Sequence, residues 1–157
     1  MHKTRNDLPK PTRTKMIDLL NARLADAIDL YAQVKQAHWN VKGMQFIALH
    51  ELFDKVAESV EDGVDEIAER AVELGGTANG TLQAAVKHTT LAPYPLDISA
   101  GKDHVKRVAD ALAAYGRNIR AAIGTAADAG DADTSDLFTE ISRAADKQLW
   151  FVEAHLQ

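Results

Sequence analysis

The sequence predicts an all-α protein that folds as a four-helix bundle. Of its 157 residues, 27 are Ala, whereas only 9 are Gly and 4 are Pro, and this bias favours helix. Apolar residues recur at steps of three and four in four separate windows, which is the periodicity of one helical face. One connection, between the second and third windows, is much longer than the other two. No alternating strand pattern of useful length and no internal repeat interrupts this organisation.

The first helix is predicted over about residues 14–41. Its apolar stripe consists of Ile17, Leu20, Leu24, Ile28, Tyr31 and Val34. Lys42-Gly43 is the expected stop, because glycine is favoured just past the C-terminal end of a helix. The second helix is predicted over about residues 46–74 and ends at Gly75-Gly76. Its stripe consists of Phe46, Leu49, Phe53, Val56, Val60, Val64, Ile67, Ala71 and Leu74.

A long connection occupies residues 75–100, where glycine, proline and threonine are frequent. Residues 81–87 are predicted to form a short helix within it, with Thr81 as the N-cap. The third and fourth long helices are predicted over about residues 101–127 and 134–155. Two antiparallel pairs joined by one long crossover, between helices 2 and 3, form the ferritin-like connectivity. The predicted domains are a short basic N-terminal arm, residues 1–13, and the bundle, residues 14–157.

Composition excludes several classes of protein. The chain has no Cys, so disulfide scaffolds, thiolate metal sites and Cys nucleophiles are ruled out. A net charge of −5 argues against a protein that binds nucleic acid over its whole surface. We find no apolar run near the ~20 residues that a membrane helix requires, and no secretory signal at the start. We therefore expect a cytoplasmic protein without a membrane partner.

The second helix carries an unusual set of polar side chains: His50, Asp54, Asp65 and Glu69. Intervals of four, eleven and four residues place all four on one side of a helix. At about 100° per residue, this side lies beside the apolar stripe, so we expect it on the flank of the bundle. Imidazole and carboxylate ligands without thiolate suit Fe, Mn or Zn, and redox-active iron in particular.

One chain cannot close this site by itself. Asp54 and Asp65 are ~16 Å apart along the helix, whereas metal–ligand bonds are near 2 Å. If two copies of the helix pack antiparallel about a two-fold axis between Ser59 and Val60, each His50/Asp54 pair meets the partner's Asp65/Glu69 pair. Symmetry then creates two sites ~22 Å apart. His38, near the end of the first helix, is the third expected ligand from the same chain as His50.

Each of these residues also has an ordinary interpretation. His50 and Asp54 alone would be a common i,i+4 pair, and His38 alone a core or capping histidine. Single carboxylates on a helix flank are mostly solvated surface, and we assign that role to Glu51, Glu58, Glu61, Asp62 and Glu66. The remaining histidines have no comparable neighbours and are predicted to lie on the surface: His2, His88, His104 and His155.

The chain resembles the Dps family, the mini-ferritins, over nearly its whole length from Thr4 onward. The resemblance rests on four segments and on the spacing His-x11-His-x3-Asp-x10-Asp-x3-Glu. The segments are residues 36–54 (QAHWNVKG, FIALHE and Asp54), 68–76 (AERAVELGG), 94–97 (YPLD) and 146–151 (DKQLWF). Larger ferritins instead use a Glu-x-x-His motif within one bundle, and this chain has none.

The resemblance implies a ferroxidase centre between two-fold-related subunits. His38, His50 and Asp54 would come from one subunit, and Asp65 and Glu69 from its neighbour. It further implies a homo-oligomer of twelve subunits, a hollow shell that oxidises Fe(II), preferably with hydrogen peroxide, and stores the ferric mineral. Such a protein protects DNA from oxidative damage. The same ligands also accept other divalent metals such as Zn.

Two further roles are expected from the family. Its shells have acidic pores at three-fold axes, for which Asp128, Asp131, Asp133 and Asp136 are candidates, because cations need a negative funnel. The alternative for these four residues is a solvated loop with a helix cap. Trp39, next to His38, is a candidate electron donor to stray oxidants, or else an aromatic side chain packed at an interface.

DNA binding is a separate question. Some members use a long Lys-rich N-terminal tail, whereas here only a short basic arm precedes the bundle. Its candidate DNA contacts are Lys3, Arg5, Lys10, Arg13 and Lys15. Repeated twelve times, this arm would bind phosphate multivalently at low salt. The rival interpretation of the chain is a nucleoid-compacting DNA-binding protein in which the metal site is secondary.

Overall fold

The computed structural model describes all 157 residues and contains five α-helices and no β-strand. The helices are α1 (Lys10–Asn40), α2 (Phe46–Glu73), α3 (Leu82–His88), α4 (Gly101–Asp128) and α5 (Ala132–Glu153). The four long helices form the predicted bundle, and the short α3 lies in the crossover between α2 and α4. None of the helices is long and apolar enough to cross a membrane.

The bundle is built from two helical hairpins. Helix α1 packs mainly along α2 and α4 along α5, and contacts of α1 with α4 and of α2 with α5 join the two pairs. Large side chains from all four helices fill one continuous core, among them Leu20, Phe53, Tyr115 and Phe138. The predicted apolar stripes therefore face this core, apart from Phe46 at the start of α2, which is exposed, and the fold class is confirmed.

Helix α1 begins at Lys10, four residues before the predicted start at Thr14. Pro9 is the N-cap residue and Pro11 lies in the first turn. Proline is tolerated there, since the first N–H groups of a helix have no partner within it and the ring sets a helical φ. The last four residues of the predicted arm, 10–13, are thus already helical.

The rest of the arm lies against the C-terminal end of α2. The backbone N–H of His2 donates to the carbonyl of Gly75. Arg13 donates from Nη1 to the Leu74 carbonyl at 3.0 Å and from Nε to the Leu8 carbonyl at 3.1 Å. These bonds attach the arm and the start of α1 to backbone carbonyls at the C-terminal end of α2, which have no partner within the helix.

A buried carboxylate holds the crossover in place. Asp26 of α1 is fully buried and accepts from the backbone N–H of Thr90 at 2.8 Å and from Asn118 Nδ2 at 3.0 Å. Arg23 pairs with the same carboxylate at 2.9 Å. Within the crossover, the Thr81 hydroxyl caps α3 by accepting from the Ala84 N–H, as predicted.

Candidate metal centre

Two histidines from consecutive helices face each other beside the turn that joins α1 to α2. His38 Nδ1 lies 2.7 Å from the carbonyl oxygen of His50, and His50 Nδ1 lies 2.9 Å from the carbonyl oxygen of His38. Their rings stack with centroids 3.8 Å apart. Only 9% of His38 is exposed. The short turn at residues 41–45 folds the chain back so that these residues, twelve positions apart, become neighbours.

The two hydrogen bonds define how each ring is protonated. A carbonyl oxygen only accepts, so each Nδ1 must carry the proton and donate. The Nε2 atom of a neutral ring then keeps its lone pair. Metal-ligating histidines are commonly oriented in this way, with one ring nitrogen donating to a carbonyl and the other free for the metal.

Asp54 lies one turn of α2 beyond His50 and is held by a lysine. Lys35 Nζ is 2.6 Å from Asp54 Oδ1, and His38 Nδ1 is 3.9 Å from the same oxygen. The hydrogen bond from Lys35 is the main reason that the pKa of Asp54 lies below its usual range, although desolvation acts in the opposite direction. Lys35 belongs to the site, and the sequence reasoning missed it. Its position one turn before His38 on α1 was the available signal.

Asp65 and Glu69 lie further along the same face of α2. Both are exposed and neither forms an ion pair within the chain. Helix α2 is continuous between Asp54 and Asp65, so the expected separation of ~16 Å holds. No three His, Asp or Glu side chains of one chain come close enough to hold a metal ion. His38, His50 and Asp54 are neighbours but do not form a complete site by themselves, and Asp65 and Glu69 lie apart from them.

The acidic residues near the α4–α5 connection do not behave as one group. Asp128, Asp133 and Asp136 are exposed, whereas Asp131 is buried. Asp131 caps α5 by accepting from the Thr134 N–H at 3.0 Å, and it pairs with Arg70 at 3.0 Å. The two alternatives for these residues were a pore lining and a solvated loop with a helix cap. Asp131 is the helix cap, so its carboxylate is not free to line a pore.

One predicted surface histidine is in the core. His104 is only 1% exposed, and its Nδ1 is hydrogen-bonded to the Tyr94 hydroxyl at 2.6 Å. Burial lowers the pKa of His104, against smaller opposing effects from backbone groups of Asn40 and Ile98 and from Asp103. The surface prediction for His104 was wrong because it lies at the start of α4, under the end of α1. His2, His88 and His155 are exposed, as predicted.

Trp39 next to the site is largely uncovered. Its side chain is 66% exposed, and Lys35 Nζ lies 5.7 Å from its ring centroid. Other large apolar side chains are also exposed near the ends of α2 and on α3: Met44, Ile47, Val72, Leu82 and Val86. Exposed apolar groups of this size commonly mark contact surfaces.

Known proteins share this fold and much of this sequence. A family model described as a ferritin-like domain matches residues 17–157. The DNA protection during starvation protein of Agrobacterium fabrum is 49% identical over 156 residues, which cover 99% of this chain and 96% of that protein. A protein of the same name from Mycolicibacterium smegmatis is 33% identical over 140 residues, covering 89% of this chain and 76% of the relative.

Solved structures agree with this likeness. DpsC from Streptomyces coelicolor superposes with a TM-score of 0.94 at 31% identity, covering 99% of this chain and 91% of that one. Mycobacterium smegmatis Dps superposes with a TM-score of 0.94 at 30% identity, covering 100% and 94%. The arrangement of the helices is thus the one found in these proteins.

Proposed function

Because this chain belongs to the Dps family of ferritin-like proteins, we propose that it stores iron and protects DNA by oxidising Fe(II) at sites shared between two subunits. Iron is the substrate and the stored cargo, and hydrogen peroxide is the preferred oxidant. The proposed ligands are His38, His50 and Asp54 from one subunit and Asp65 and Glu69 from its neighbour. Twelve subunits form the shell that holds the ferric mineral.

The observation that carries this proposal is the reciprocal pairing of His38 and His50. Each ring donates from Nδ1 to the other residue's carbonyl, which leaves both Nε2 atoms as acceptors, and Asp54 Oδ1 lies 3.9 Å from His38 Nδ1. Two oriented rings next to a carboxylate provide half of a metal site.

A two-fold partner supplies the other half. Two antiparallel copies of α2 that cross between Ser59 and Val60 bring the exposed Asp65 and Glu69 of one chain to the histidines of the other. Isologous packing creates two equal sites in this way. The exposed apolar side chains at both ends of α2 support such an interface, since a partner would remove them from water.

The ligand set favours oxidation of the bound iron. Carboxylates stabilise Fe(III) more strongly than Fe(II), because the higher charge gains more from anionic oxygen. Two Fe(II) ions each give up one electron to one peroxide molecule, which takes two protons and leaves as two waters. No hydroxyl radical is released when both electrons arrive together. Trp39 is the proposed donor when only one iron is present.

Entry of iron and binding of DNA are the less specific parts of the proposal. Asp128, Asp133 and Asp136 are exposed and remain proposed pore residues, without Asp131. Among the proposed DNA contacts, Lys3, Arg5, Lys10 and Lys15 are exposed and form no ion pair, whereas Arg13 is bonded to the end of α2. A fastened arm favours iron oxidation over the rival interpretation as a nucleoid-compacting protein.

The test is oxidation of iron by the assembled protein. Fe(II) is loaded anaerobically, hydrogen peroxide is added, and ferric absorbance and trapped radicals are followed. We expect the variant His50→Ala/Asp54→Ala to oxidise iron at least roughly tenfold more slowly than wild type and to release more radical. The matched control, His155→Ala/Asp18→Ala, removes the same two residue types from exposed positions elsewhere and should behave as wild type.

Oxidation by His50→Ala/Asp54→Ala at the wild-type rate would refute the proposed site. A shell of wild type that retards DNA at physiological salt, while oxidising iron no faster than the double variant, would favour the rival interpretation.

A further inference from the structure

A cavity of about 140 Å³ lies between α2, α4 and α5, away from the histidine pair. It opens to solvent at one side. Carboxylates from two helices line it, Asp62 and Glu66 from α2 and Glu140 from α5, together with Tyr115 of α4 and Gln148 of α5. The polar lining consists of oxygen-bearing side chains, with no histidine, lysine or arginine among them.

The negative charge around this cavity has no counter-ion within the chain. None of Asp62, Glu66 and Glu140 forms an ion pair. The pKa of Glu66 is raised, first by burial and then by the charges of Glu140, Asp62 and Asp65. These carboxylates thus repel one another across the mouth of the cavity.

Two buried oxygens that line the cavity also lack partners. Tyr115 is only 2% exposed, yet its hydroxyl forms no hydrogen bond, and neither does Oε1 of Gln148. Arg23 lies near Tyr115 from the α1 side; its Nη2 is paired with Asp26, and its Nε is also buried without a partner. Buried polar atoms are nearly always satisfied in folded proteins, so two orphans at one cavity indicate a missing ion or water.

We propose that this cavity binds one hydrated divalent cation of the hard class, such as Mg²⁺ or Mn²⁺. Glu66 and Glu140 supply the charge, and Tyr115 and Gln148 act through water. An all-oxygen donor set selects hard cations over Zn. The carboxylates do not converge closely enough to hold a bare ion. The ion therefore keeps part of its water shell, and the cavity has room for about four waters of ~30 Å³ each.

This site differs from the proposed ferroxidase centre in two ways. It needs no second subunit, since all of its residues come from one chain, and it contains no histidine. Its existence does not depend on the proposed function, and a shell that fails to oxidise iron would still bind this cation.

Mn²⁺ is the probe, because bound and free ions are distinguished by electron paramagnetic resonance. The assembled variant His50→Ala/Asp54→Ala/Asp65→Asn/Glu69→Gln serves as background, so that four of the five proposed intersubunit ligands are absent. We expect about one Mn²⁺ per chain, displaced by excess Mg²⁺. Adding Glu66→Gln and Glu140→Gln should weaken binding by roughly tenfold or more. Tyr115→Phe, which removes one neutral oxygen, should weaken it less.

The matched control is Glu153→Gln, which removes an exposed, unpaired carboxylate of α5 that does not line the cavity. It should leave Mn²⁺ binding unchanged. Anomalous diffraction from Mn²⁺-soaked crystals should locate the ion between Glu66 and Glu140. The proposal is overturned if the two glutamine substitutions do not alter Mn²⁺ binding. It is equally overturned if diffraction shows only water, or a cationic side chain of a neighbouring subunit, in the cavity.

Discussion

In the single chain, the Asp54 carboxylate is paired with the ammonium group of Lys35. Their 2.6 Å contact puts a positive charge where the proposed site would receive a metal ion. Lys35 Nζ also lies over the ring of Trp39, which offers the ammonium group a second position when a metal takes its place. Lys35 therefore competes with the metal for Asp54.

Lys35→Gln removes this competition. We expect the variant to bind Zn²⁺, a redox-inert substitute for iron, roughly fivefold more tightly than wild type, the scale of an exposed ion pair. Calorimetric titration of the assembled protein measures the affinity. Lys55→Gln is the control, because Lys55 is an exposed lysine of α2 without an ion pair. An unchanged or weaker affinity in Lys35→Gln would show that Lys35 does not oppose metal binding.

His104 makes stability depend on pH. Burial lowers its pKa in the folded protein below the value of ~6.5 in the unfolded chain, so the unfolded state binds more protons. The free energy of unfolding should therefore fall as the pH drops below about 6.5. Urea unfolding of wild type and His104→Asn at several pH values tests this. The slope should be smaller in His104→Asn and unchanged in His155→Asn, and equal slopes in all three proteins would contradict the assignment.

The residues of the site were only partly predictable from sequence. Helical periodicity predicted that His50 and Asp54 share a face of the second helix, and the turn before Phe46 predicted that His38 lies beside His50. The position of Lys35 one turn before His38 was too weak a signal, since charged residues on a helix surface are common and their partner depends on the packing of α1 against α2. The surface prediction for His104 was wrong for the same reason. Its burial depends on how the crossover packs, and helical periodicity does not predict the path of a crossover.

At the scale of the elements, most helix bounds agree with the predictions to within two residues. The larger differences, four residues at the start of α1 and two at the start of α5, arise where capping determines the end of a helix. Helix α1 starts earlier because proline fits its first turn, and α5 starts at Ala132 because Asp131 caps it. A stripe identifies the buried face, but it does not identify the residue that ends the backbone hydrogen-bond pattern.

The cap of α5 is also its link to α2. Asp131→Ala would remove the cap and leave the largely buried Arg70 without this partner. We expect a loss of roughly 2–4 kcal/mol in the free energy of unfolding. Asp133→Ala is the control: the Asp133 side chain is 86% exposed, 3.8 Å from Arg70, and its removal should cost less than about 0.5 kcal/mol. Urea unfolding measures both variants. Equal losses in the free energy of unfolding would contradict the assignment of the cap and the main Arg70 pair to Asp131.

At the scale of the whole molecule, the proposed assembly uses each chain as one half of two metal sites. The connectivity of the bundle was predictable, since one long crossover allows few arrangements of four helices. The oxygen-lined cavity between α2, α4 and α5 was not, because its residues are far apart in sequence and include glutamates predicted as solvated surface. The packing of three helices brings the cavity residues together, and no local sequence pattern predicts this packing.

Complementation between two inactive variants tests the intersubunit site most directly. One variant carries His50→Ala/Asp54→Ala, and the other Asp65→Asn/Glu69→Gln. Each alone has no intact site. In a mixed pair, one of the two sites receives only wild-type ligands, so random co-assembly should restore about a quarter of the sites. The account predicts iron oxidation by peroxide at about a quarter of the wild-type rate in the co-assembled shell. No recovery above either variant alone would contradict it.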